Sequence, residues 1–270
     1  MIHLGPAGKP IGAPEGPLEK SFPYLKSLGL DAVEVQFVRG VYLDEKKAEL
    51  LGTAAKEHGM HLSVHAPYYI NLGSEDKETV RKSKERILES ARIGAILGAR
   101  AIAFHAGFYS AKDSAERIKA AIIEMADRID GTYLCPETMG NFSKFGRLEE
   151  LLEIAHHRNV RLTVDWCHLH ALTNGGFRKE ENFDDVLRKI EKSLGRKAVD
   201  CLHTHFSGVS YTEKGERSHL PLSSNEPDFL LLAKALAKWK PEDMTIICES
   251  PELEMDSVRM KTVLDRLVRT

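Results

Sequence analysis

Long apolar runs are missing from this 270-residue chain. A helix that crosses a bilayer needs about 20 consecutive apolar residues, and no stretch approaches that length. The N-terminal segment MIHLGPAGKPIG is too often interrupted by glycine and proline to be the apolar part of a signal peptide. We therefore expect a soluble, cytoplasmic protein without a membrane partner.

Cysteine is scarce, and neither sign of charge is in excess. The four cysteines, Cys135, Cys167, Cys201 and Cys248, show no CxxC spacing, which argues against a disulfide framework and against a cysteine-type zinc finger. The formal net charge is −2 and no long basic block is present, so the whole-chain charge does not indicate a nucleic-acid binder. A local basic surface stays open at this point.

The chain does contain a regular alternation of short apolar runs and charged segments with helical periodicity. The runs that we predict to be strands are residues 2–5, 31–37, 61–66, 101–106, 132–137, 161–166, 200–206 and 245–250. The predicted helices cover 43–57, 75–98, 112–129, 147–157, 182–194, 227–238 and 253–269.

Eight strands that alternate with helices are typical of a (β/α)8 TIM barrel. Hydrophobic residues make up 42% of the chain, enough to bury a substantial core. A doubly wound open sheet is the competing fold, but no GxGxxG turn follows the first predicted strand. The sequence thus predicts an α/β fold, a TIM barrel that forms a single domain over residues 1–270.

Potential metal ligands lie at the ends of six predicted strands. They are His65, His105, Glu137, Asp165 with His168 three residues later, His203 and Glu249. The carboxyl ends of barrel strands meet at one mouth, where several desolvated carboxylates and imidazoles are unfavourable without cations. A single buried histidine is more often a hydrogen-bonded core residue, but the repetition favours a metal site. Imidazole and carboxylate ligands without thiolate suit zinc first and manganese second.

The number of candidate ligands also bears on the number of ions. A mononuclear catalytic zinc needs about three protein ligands, and more than twice that number converge here. We expect two or three ions, with Glu137 placed to bridge two of them.

Several segments resemble the endonuclease IV family, a group of apurinic/apyrimidinic endonucleases with a xylose isomerase-like barrel. The resemblance is carried by HAPYYINLGS at 65–74, AFHAG at 103–107, PETMG at 136–140, VDWCH at 164–168, LHTHFS at 202–207, HLPL at 219–222 and CESP at 248–251. It implies three zinc ions. The ligands it implies are His65, His105 and Glu137 for the first ion, Glu137, Asp165, His203 and Glu249 for the second, and His168 and His219 for the third.

The third zinc site departs from the family pattern. The family usually has Asp-x-His, whereas this chain has ERSHLPLSS at 216–224, so that alignment on His219 puts Arg217 at the aspartate position. Glu216 lies one residue out of register. The third site is therefore either rebuilt with Glu216 or weakened, and the glycine-rich turn that follows in the family is replaced by residues 223–225.

The resemblance implies hydrolysis of DNA on the 5′ side of an abasic site, by a monomer whose partner is DNA that contains such sites. A hydroxide between two ions would attack, and Glu137 would be the catalytic residue because it bridges the ions and orients the hydroxide. Tyr68 and Tyr69 occupy positions where the family inserts side chains into DNA, although a tyrosine pair can equally pack a loop onto the barrel rim. Arg39 follows the second strand and is either a phosphate contact or a solvated surface charge.

A sugar isomerase or epimerase of the same barrel superfamily is the main alternative. Such enzymes hold one divalent ion with a Glu, Asp, His, Glu set. The chain offers that set as Glu137, Asp165, His203 and Glu249. His65, His105 and His219 exceed this need and favour the nuclease. A binding protein that has lost catalysis is a third class, but nearly all of the convergent ligands remain.

Two further residues near Asp165 are left outside the predicted site. Cys167 is expected to pack in the interior. His170 has no role in the resemblance and is expected to face a loop or solvent.

Overall fold

The computed structural model describes residues 1–268. The strands are β1 (Ile2–Pro6), β2 (Ala32–Gln36), β3 (His61–His65), β4 (Ala101–Phe104), β5 (Tyr133–Pro136), β6 (Thr163–Asp165), β7 (His203–Phe206), β8 (Gly208–Thr212), β9 (Gly215–Leu220) and β10 (Met244–Cys248). The α-helices are α1 (Phe22–Ser27), α2 (Glu45–Glu57), α3 (Lys77–Leu97), α4 (Ser114–Ala126), α5 (Leu148–Ile154), α6 (Trp166–Leu172), α7 (Glu180–Leu194), α8 (Arg196–Asp200), α9 (Phe229–Trp239) and α10 (Glu254–Val268). Within these residues, no helix is both long and apolar enough to cross a membrane.

Every predicted strand and helix has a counterpart in the structure. The predicted strands correspond to β1 to β7 and β10, and the predicted helices to α2 to α5, α7, α9 and α10. Among the α-helices and strands of the described residues, those that were not predicted are the short helices α1, α6 and α8 and the strand pair β8 and β9.

The chain divides into two compact units. Unit 1 comprises Met1–Val33 and the described residues from Val164 onward, and unit 2 comprises Glu34–Thr163. One four-stranded sheet has the order β1-β10-β7-β6 and the other has the order β2-β3-β4-β5. The pairs β1 with β10, β10 with β7, β3 with β4 and β4 with β5 are parallel. The single domain over residues 1–270 stays a prediction.

In unit 2, helix α3 shows how the local sequence sets the element boundaries. The Asp76 carboxylate accepts hydrogen bonds from the backbone N–H groups of Glu78 and Thr79, which caps the start of the helix. Gly98 ends it in the left-handed conformation that glycine adopts without strain. Gly94 faces the sheet, where a Cβ atom would lie 2.3 Å from Ile102 Cδ1, so glycine allows the helix to approach β4 closely.

In unit 1, helix α7 packs its apolar face into the interior. Its buried side chains include Phe183 and Leu187, and the Phe183 ring lies 5.4 Å from the ring of Trp166 and 5.0 Å from that of Phe177. These edge and tilted contacts are the arrangement that aromatic rings prefer. Because Trp166 directly follows β6, the cluster holds the start of α6 at the carboxyl end of that strand.

The β8–β9 hairpin lies in unit 1 and is antiparallel. Its pairing is regular from Gly208 and Leu220 to Ser210 and Ser218, and then Tyr211 pairs with Glu216. Arg217 is therefore the additional residue of a β-bulge. Bulges change which side chains share a face of the hairpin, and this one determines which residues of β9 can act as ligands.

Candidate metal centre

Three potential ligands of unit 2 lie at the carboxyl ends of neighbouring parallel strands. His65 is the last residue of β3, His105 directly follows β4, and Glu137 directly follows β5. The three strands pair in register, with His65 opposite Ala103 and Phe104 opposite Pro136. The side chains consequently meet at one edge of the sheet, as the sequence predicted for these residues.

The three side chains contact one another. His65 Nε2 lies 3.2 Å and His105 Nε2 lies 3.3 Å from the same oxygen, Oε2 of Glu137. The two imidazole rings are perpendicular, with centroids 5.2 Å apart. Glu137 is 1% exposed, so its carboxylate is shielded from bulk water.

The donor chemistry fits a divalent cation. His65 Nδ1 lies 2.8 Å from the backbone oxygen of Ala66, which can only accept, so Nδ1 carries a proton and Nε2 faces Glu137. This is the tautomer in which a histidine binds metal through Nε2 while Nδ1–H is held by the protein. Ligands about 2.0–2.1 Å from a tetrahedral zinc ion lie about 3.3 Å from one another, and the distances from Glu137 to His65 and His105 match that spacing.

Unit 1 has its own ligands at strand ends. Asp165 is the last residue of β6, and Glu249 directly follows β10. One donor atom each from Asp165, His205 and Glu249 lie within 4.8 Å of one another. His205 Nδ1 is 3.7 Å from Glu249 Oε1. Two carboxylates and one imidazole thus gather at the carboxyl end of this sheet.

The histidine of this group is His205 and not His203, which corrects the assignment made from the sequence. Side chains alternate along a strand with a rise of about 3.3 Å per residue, so both histidines share a face but lie about 7 Å apart along it. His203 is the first residue of β7, and His205 lies one residue before its end. His205 therefore reaches the level of Asp165 and Glu249, while the ring of His203 packs behind it with the ring centroids 5.2 Å apart.

A third group of ligands combines α6 with the hairpin. His168 Nε2 lies 2.9 Å from Glu216 Oε2, and His219 Nε2 lies 3.4 Å from Glu216 Oε1. The His168 backbone N–H donates to Asp165 Oδ1 at 2.8 Å, so Asp165 also caps α6. Donor atoms of Asp165, His168 and His219 lie within 4.8 Å of one another. Glu216 is thus brought to the two histidines of the third predicted site.

The bulge explains how Glu216 reaches this position. His219 pairs with Val209 and Glu216 pairs with Tyr211, and residues two apart on β8 share a face. His219 and Glu216 consequently share a face of β9, although three positions separate them in sequence. Arg217, which the family alignment places at the ligand position, is exposed in the bulge.

The carboxylates and imidazoles in and around the third group shift one another's pKa. Burial alone would raise the pKa of Glu216, but hydrogen bonds and charge from His168 and His219 hold this pKa well below its usual range. Burial lowers the pKa of His219, whereas Glu216, and then Glu249 and Asp165, raise it to about 9. The carboxylates thus favour the protonated form of His219, which carries a positive charge. A divalent cation would take over this role, because metal binding displaces protons from its ligands.

The two residues that were left outside the site have different outcomes. Cys167 is buried, its Sγ donates to the Ser207 carbonyl at 2.7 Å and accepts from the Ser207 N–H at 2.9 Å, and burial raises its thiol pKa. It packs in the interior, as predicted. For His170, the expectation of a solvent-facing side chain was wrong, because this residue is 1% exposed; it faces the loop before α9 instead, with Nε2 2.8 Å from Glu226 Oε2. Sequence alone could not reveal this hydrogen bond, since the partner lies 56 residues away.

Comparison with known proteins decides the family. A family model described as xylose isomerase-like TIM barrel matches residues 22–266. The chain belongs to the xylose isomerase-like TIM barrel family. The barrel fold predicted from the sequence is thereby confirmed.

Relatives of this TIM barrel protein carry different names. Uncharacterized protein MJ0133 of Methanocaldococcus jannaschii is 35% identical over 276 residues, with 99% of this chain and 98% of that protein covered. A probable endonuclease 4 of Bacillus subtilis is 28% identical over 219 residues, with 76% of this chain and 72% of that protein covered. The resemblance to endonuclease IV that the motifs indicated is confirmed.

Two solved structures share the fold. Endonuclease IV from Thermus thermophilus superposes with a TM-score of 0.74 at 20% identity, over 97% of this chain and 99% of that chain. A D-tagatose 3-epimerase-like protein superposes with a TM-score of 0.72 at 20% identity, over 93% of each chain. At this level of identity the likeness concerns the fold of the barrel and not its reaction.

The residues predicted to contact substrate lie in exposed segments of the same barrel protein. Tyr68 and Tyr69 follow β3 and are 50% and 64% exposed. The ring centroid of Tyr68 lies 5.6 Å from that of His65 and 6.0 Å from that of His105. Arg39 follows β2 and is also exposed. Tyr68 therefore borders the ligands of unit 2, and a contact of any of the three with DNA stays a prediction.

Proposed function

We propose that this protein is a metal-dependent phosphodiester hydrolase that cleaves DNA on the 5′ side of abasic sites. The observation that carries the proposal is the group of His168, Glu216 and His219 on α6 and the hairpin. A mononuclear sugar isomerase has no need of this third group, whereas a hydrolase that must hold a phosphate as well as a nucleophile does.

We propose three ligand sets for the cations, with zinc as the first choice and manganese as the second. The sets are His65, His105 and Glu137; Asp165, His205 and Glu249; and His168, Glu216 and His219. The bridging role expected for Glu137 from the sequence stays a prediction. Imidazoles and carboxylates without thiolate support this choice of metal.

Divalent cations bound by these sets would supply a nucleophile at neutral pH by lowering the pKa of water, and would stabilise charge on the leaving 3′-oxygen. The part of the protein is to hold the groups around that chemistry. His65 and His105 both meet Oε2 of Glu137, and a carboxylate has a second oxygen with which it can orient the attacking water. The Ala66 carbonyl keeps His65 in one tautomer throughout.

Exposed aromatic side chains support DNA, and not a small sugar, as substrate. Among the described residues, the exposed large aromatics are Tyr42, Tyr68, Tyr69, Phe108 and Phe142, and all of them follow strands of the unit 2 sheet. Aromatic rings on a binding surface stack on unpaired bases, with about 1–3 kcal/mol for each base. A small sugar needs no rings outside the pocket that encloses it.

The backbone behind two of these rings is firmly held. The Tyr109 N–H donates to the Ser143 carbonyl at 2.9 Å, and the Phe145 N–H donates to the Gly107 carbonyl at 3.0 Å. This short ladder joins the segments after β4 and β5 and presents Phe108 and Phe142 at 43% and 51% exposure. Rings on such a preorganised backbone lose little conformational entropy when they bind.

The experiment that tests the proposal uses duplex DNA with a single tetrahydrofuran abasic analogue. Protein loaded with Zn²⁺ or Mn²⁺ should cut the strand once, on the 5′ side of the analogue, and leave a 3′-hydroxyl that a polymerase can extend. Undamaged duplex of the same sequence is the control and should stay intact. Absence of incision with either metal would contradict the proposal.

A sugar epimerase is the second candidate, and one observation favours it. Asp165, His205 and Glu249 form a compact set at the strand ends of unit 1, which resembles the Asp, His and Glu expected for a mononuclear site. The same protein preparation is therefore incubated with ketohexoses. Epimerisation of a ketohexose without incision of abasic DNA would favour this candidate over the hydrolase.

A further inference from the structure

Four polar side chains of unit 1 form a connected cluster outside the proposed ligand sets. They are His170 on α6, Arg178 in the segment after it, Tyr211 on β8, and Glu226 in the segment between β9 and α9. We refer to these four residues as the hairpin clamp. The cluster was not foreseen from the sequence, and the proposed reaction does not use it.

Glu226 is the centre of the hairpin clamp. Arg178 binds its carboxylate with two parallel hydrogen bonds, Nη1 to Oε1 at 3.0 Å and Nη2 to Oε2 at 3.2 Å. His170 Nε2 lies 2.8 Å from Oε2, and the Tyr211 hydroxyl donates to Oε2 at 3.4 Å. Bidentate arginine–carboxylate pairs are the geometrically specific kind of ion pair.

The protonation of His170 suits this arrangement. The Phe177 N–H donates to Nδ1 at 3.3 Å, so Nε2 carries the proton that faces Glu226. A neutral His170 thus satisfies both neighbours.

The hairpin clamp ties the hairpin to α6. The Glu226 carbonyl accepts a hydrogen bond of 2.7 Å from the Val209 N–H of β8, while its side chain holds His170 of α6. Below these polar contacts, Cys167 and Ala171 of α6 pack with Val209, and Tyr211 covers the edge of this small core. Polar and apolar contacts therefore fix the same two elements against each other.

The residues that are held in this way lie opposite the ligands. Val209 pairs with His219, and Tyr211 pairs with Glu216. The third ligand, His168, is on α6 between Cys167 and Leu169. A shift of the hairpin relative to α6 would consequently change the distances from His168 to Glu216 and to His219.

Glycine is required next to the hairpin clamp. Gly175 has a φ of +81°, and a Cβ atom there would lie 2.1 Å from the Tyr211 hydroxyl and 2.9 Å from Arg178 Nη2. The segment after α6 can therefore bring Arg178 to Tyr211 and Glu226 only with glycine at this position.

We propose that Glu226 is a positioning residue which, with His170, Arg178 and Tyr211, sets the affinity of the His168, Glu216 and His219 group for a divalent cation. The inference rests on the proposed function in that it assigns a cation to this group. The hairpin clamp contributes no ligand itself, and it acts by fixing the spacing of the ligands.

The test is a Zn²⁺ titration of metal-stripped protein against a chromophoric chelator, without DNA. The variant is Glu226→Gln, and the matched control is Glu213→Gln, the same change at the exposed tip of the hairpin. We expect Glu226→Gln to weaken the binding of one ion by about tenfold, the lower end of the effect that residues around a metal site have, while the affinities for the other ions and those of the control are unchanged. A Glu226→Gln titration that superimposes on that of the wild type would overturn the inference.

A second variant keeps the test decisive if Glu226→Gln fails to fold. Tyr211→Phe keeps the ring that packs on the small core and removes only the hydroxyl. We expect the affinity for one ion to fall by about threefold, with the thermal unfolding of the metal-stripped protein unchanged. Equal affinity in Tyr211→Phe and wild type would contradict the inference. If wild type shows the expected titration but does not cut abasic DNA, only the proposed function fails. If wild type cuts but the variants bind Zn²⁺ normally, only this inference fails.

Discussion

The ligands of unit 2 and those of the hairpin are held by different means. His65, His105 and Glu137 sit at the ends of paired parallel strands, so the backbone ladder of the sheet fixes their spacing. Glu216 and His219 lie on a two-stranded hairpin with a bulge, and side-chain contacts fix that hairpin to α6. A two-stranded hairpin alone is only marginally stable. Substitution of a ligand in unit 2 should therefore affect only cation binding at that position. The cation affinity of the hairpin group should change also when residues outside the group are substituted.

The hairpin is also where this chain departs from the pattern of the resembling family. A bulge residue, Arg217, stands between Glu216 and the Ser218–His219 pair, and the longer glutamate occupies the place of an aspartate. A ligand group that depends on a bulge can be tuned by the loop around it without disturbance of the sheet. The predictions that follow test this contrast.

The largest effect is expected for Glu137→Gln. The amide is an uncharged and weaker metal ligand than a carboxylate, so the protein should lose at least one bound metal and about 1,000-fold in kcat/KM, which corresponds to about 4 kcal/mol of transition-state stabilisation. Metal analysis and incision assays check this, with circular dichroism to verify the fold. Glu57→Gln, an exposed position on α2, is the matched control and should behave as wild type. Unchanged metal content would show that Glu137 has only a structural role.

The next largest effect should distinguish the two histidines of β7. His205→Asn should remove a ligand and lower kcat/KM by about 100-fold, whereas His203→Asn should keep the full number of ions, because His203 lies one layer below the ligands. Metal content per chain and incision rates compare the two variants directly. Loss of metal from His203→Asn with normal binding in His205→Asn would show that His203, and not His205, is the ligand.

A smaller effect should distinguish two adjacent residues of β9. Glu216→Gln should lower the affinity for one ion by about tenfold to 100-fold. Arg217→Ala, at the exposed bulge position, should leave the affinity for all ions unchanged. The measurement is a Zn²⁺ titration of both variants. If Arg217→Ala weakens binding and Glu216→Gln does not, the register of the bulge is wrong.

The smallest effect concerns the exposed rings of unit 2. Phe142→Ala should raise KM for abasic duplex by about fivefold, the lower end of the range for one stacked base, and should leave hydrolysis of bis(4-nitrophenyl) phosphate unchanged. Steady-state kinetics on the two substrates provides the comparison. Leu50→Ala, an exposed apolar position on α2, is the control. A loss of the same size on the small substrate would exclude a role limited to DNA.

The strand ends could be predicted because apolar runs locate buried strands, and a histidine or carboxylate that ends such a run stands out. Glu137, Asp165 and Glu249 were found in this way. His203 and His205 were not distinguished because both face the same side of β7, and only the strand boundary shows which one is nearer its end. An apolar pattern does not locate the end of a strand to within two residues.

The hairpin and its clamp could not be predicted for a different reason. The β9 segment GERSHL has charged and polar residues at nearly every position, so no apolar alternation marks it as a strand. The bulge at Arg217 depends on how the two strands of the hairpin pair, and the contacts of Glu226 with His170 and Arg178 join residues that are distant in sequence. These features depend on tertiary packing, which outweighs local preference.

The measurement that tests the central claim most directly is the number of metal ions per chain in wild-type protein and in the double variant His168→Asn/Glu216→Gln. We predict two or three ions for the wild type and one fewer for the double variant, because we propose that the hairpin group holds an ion of its own. One ion per chain in both proteins would contradict the account and would leave the strand-end ligands as a mononuclear site.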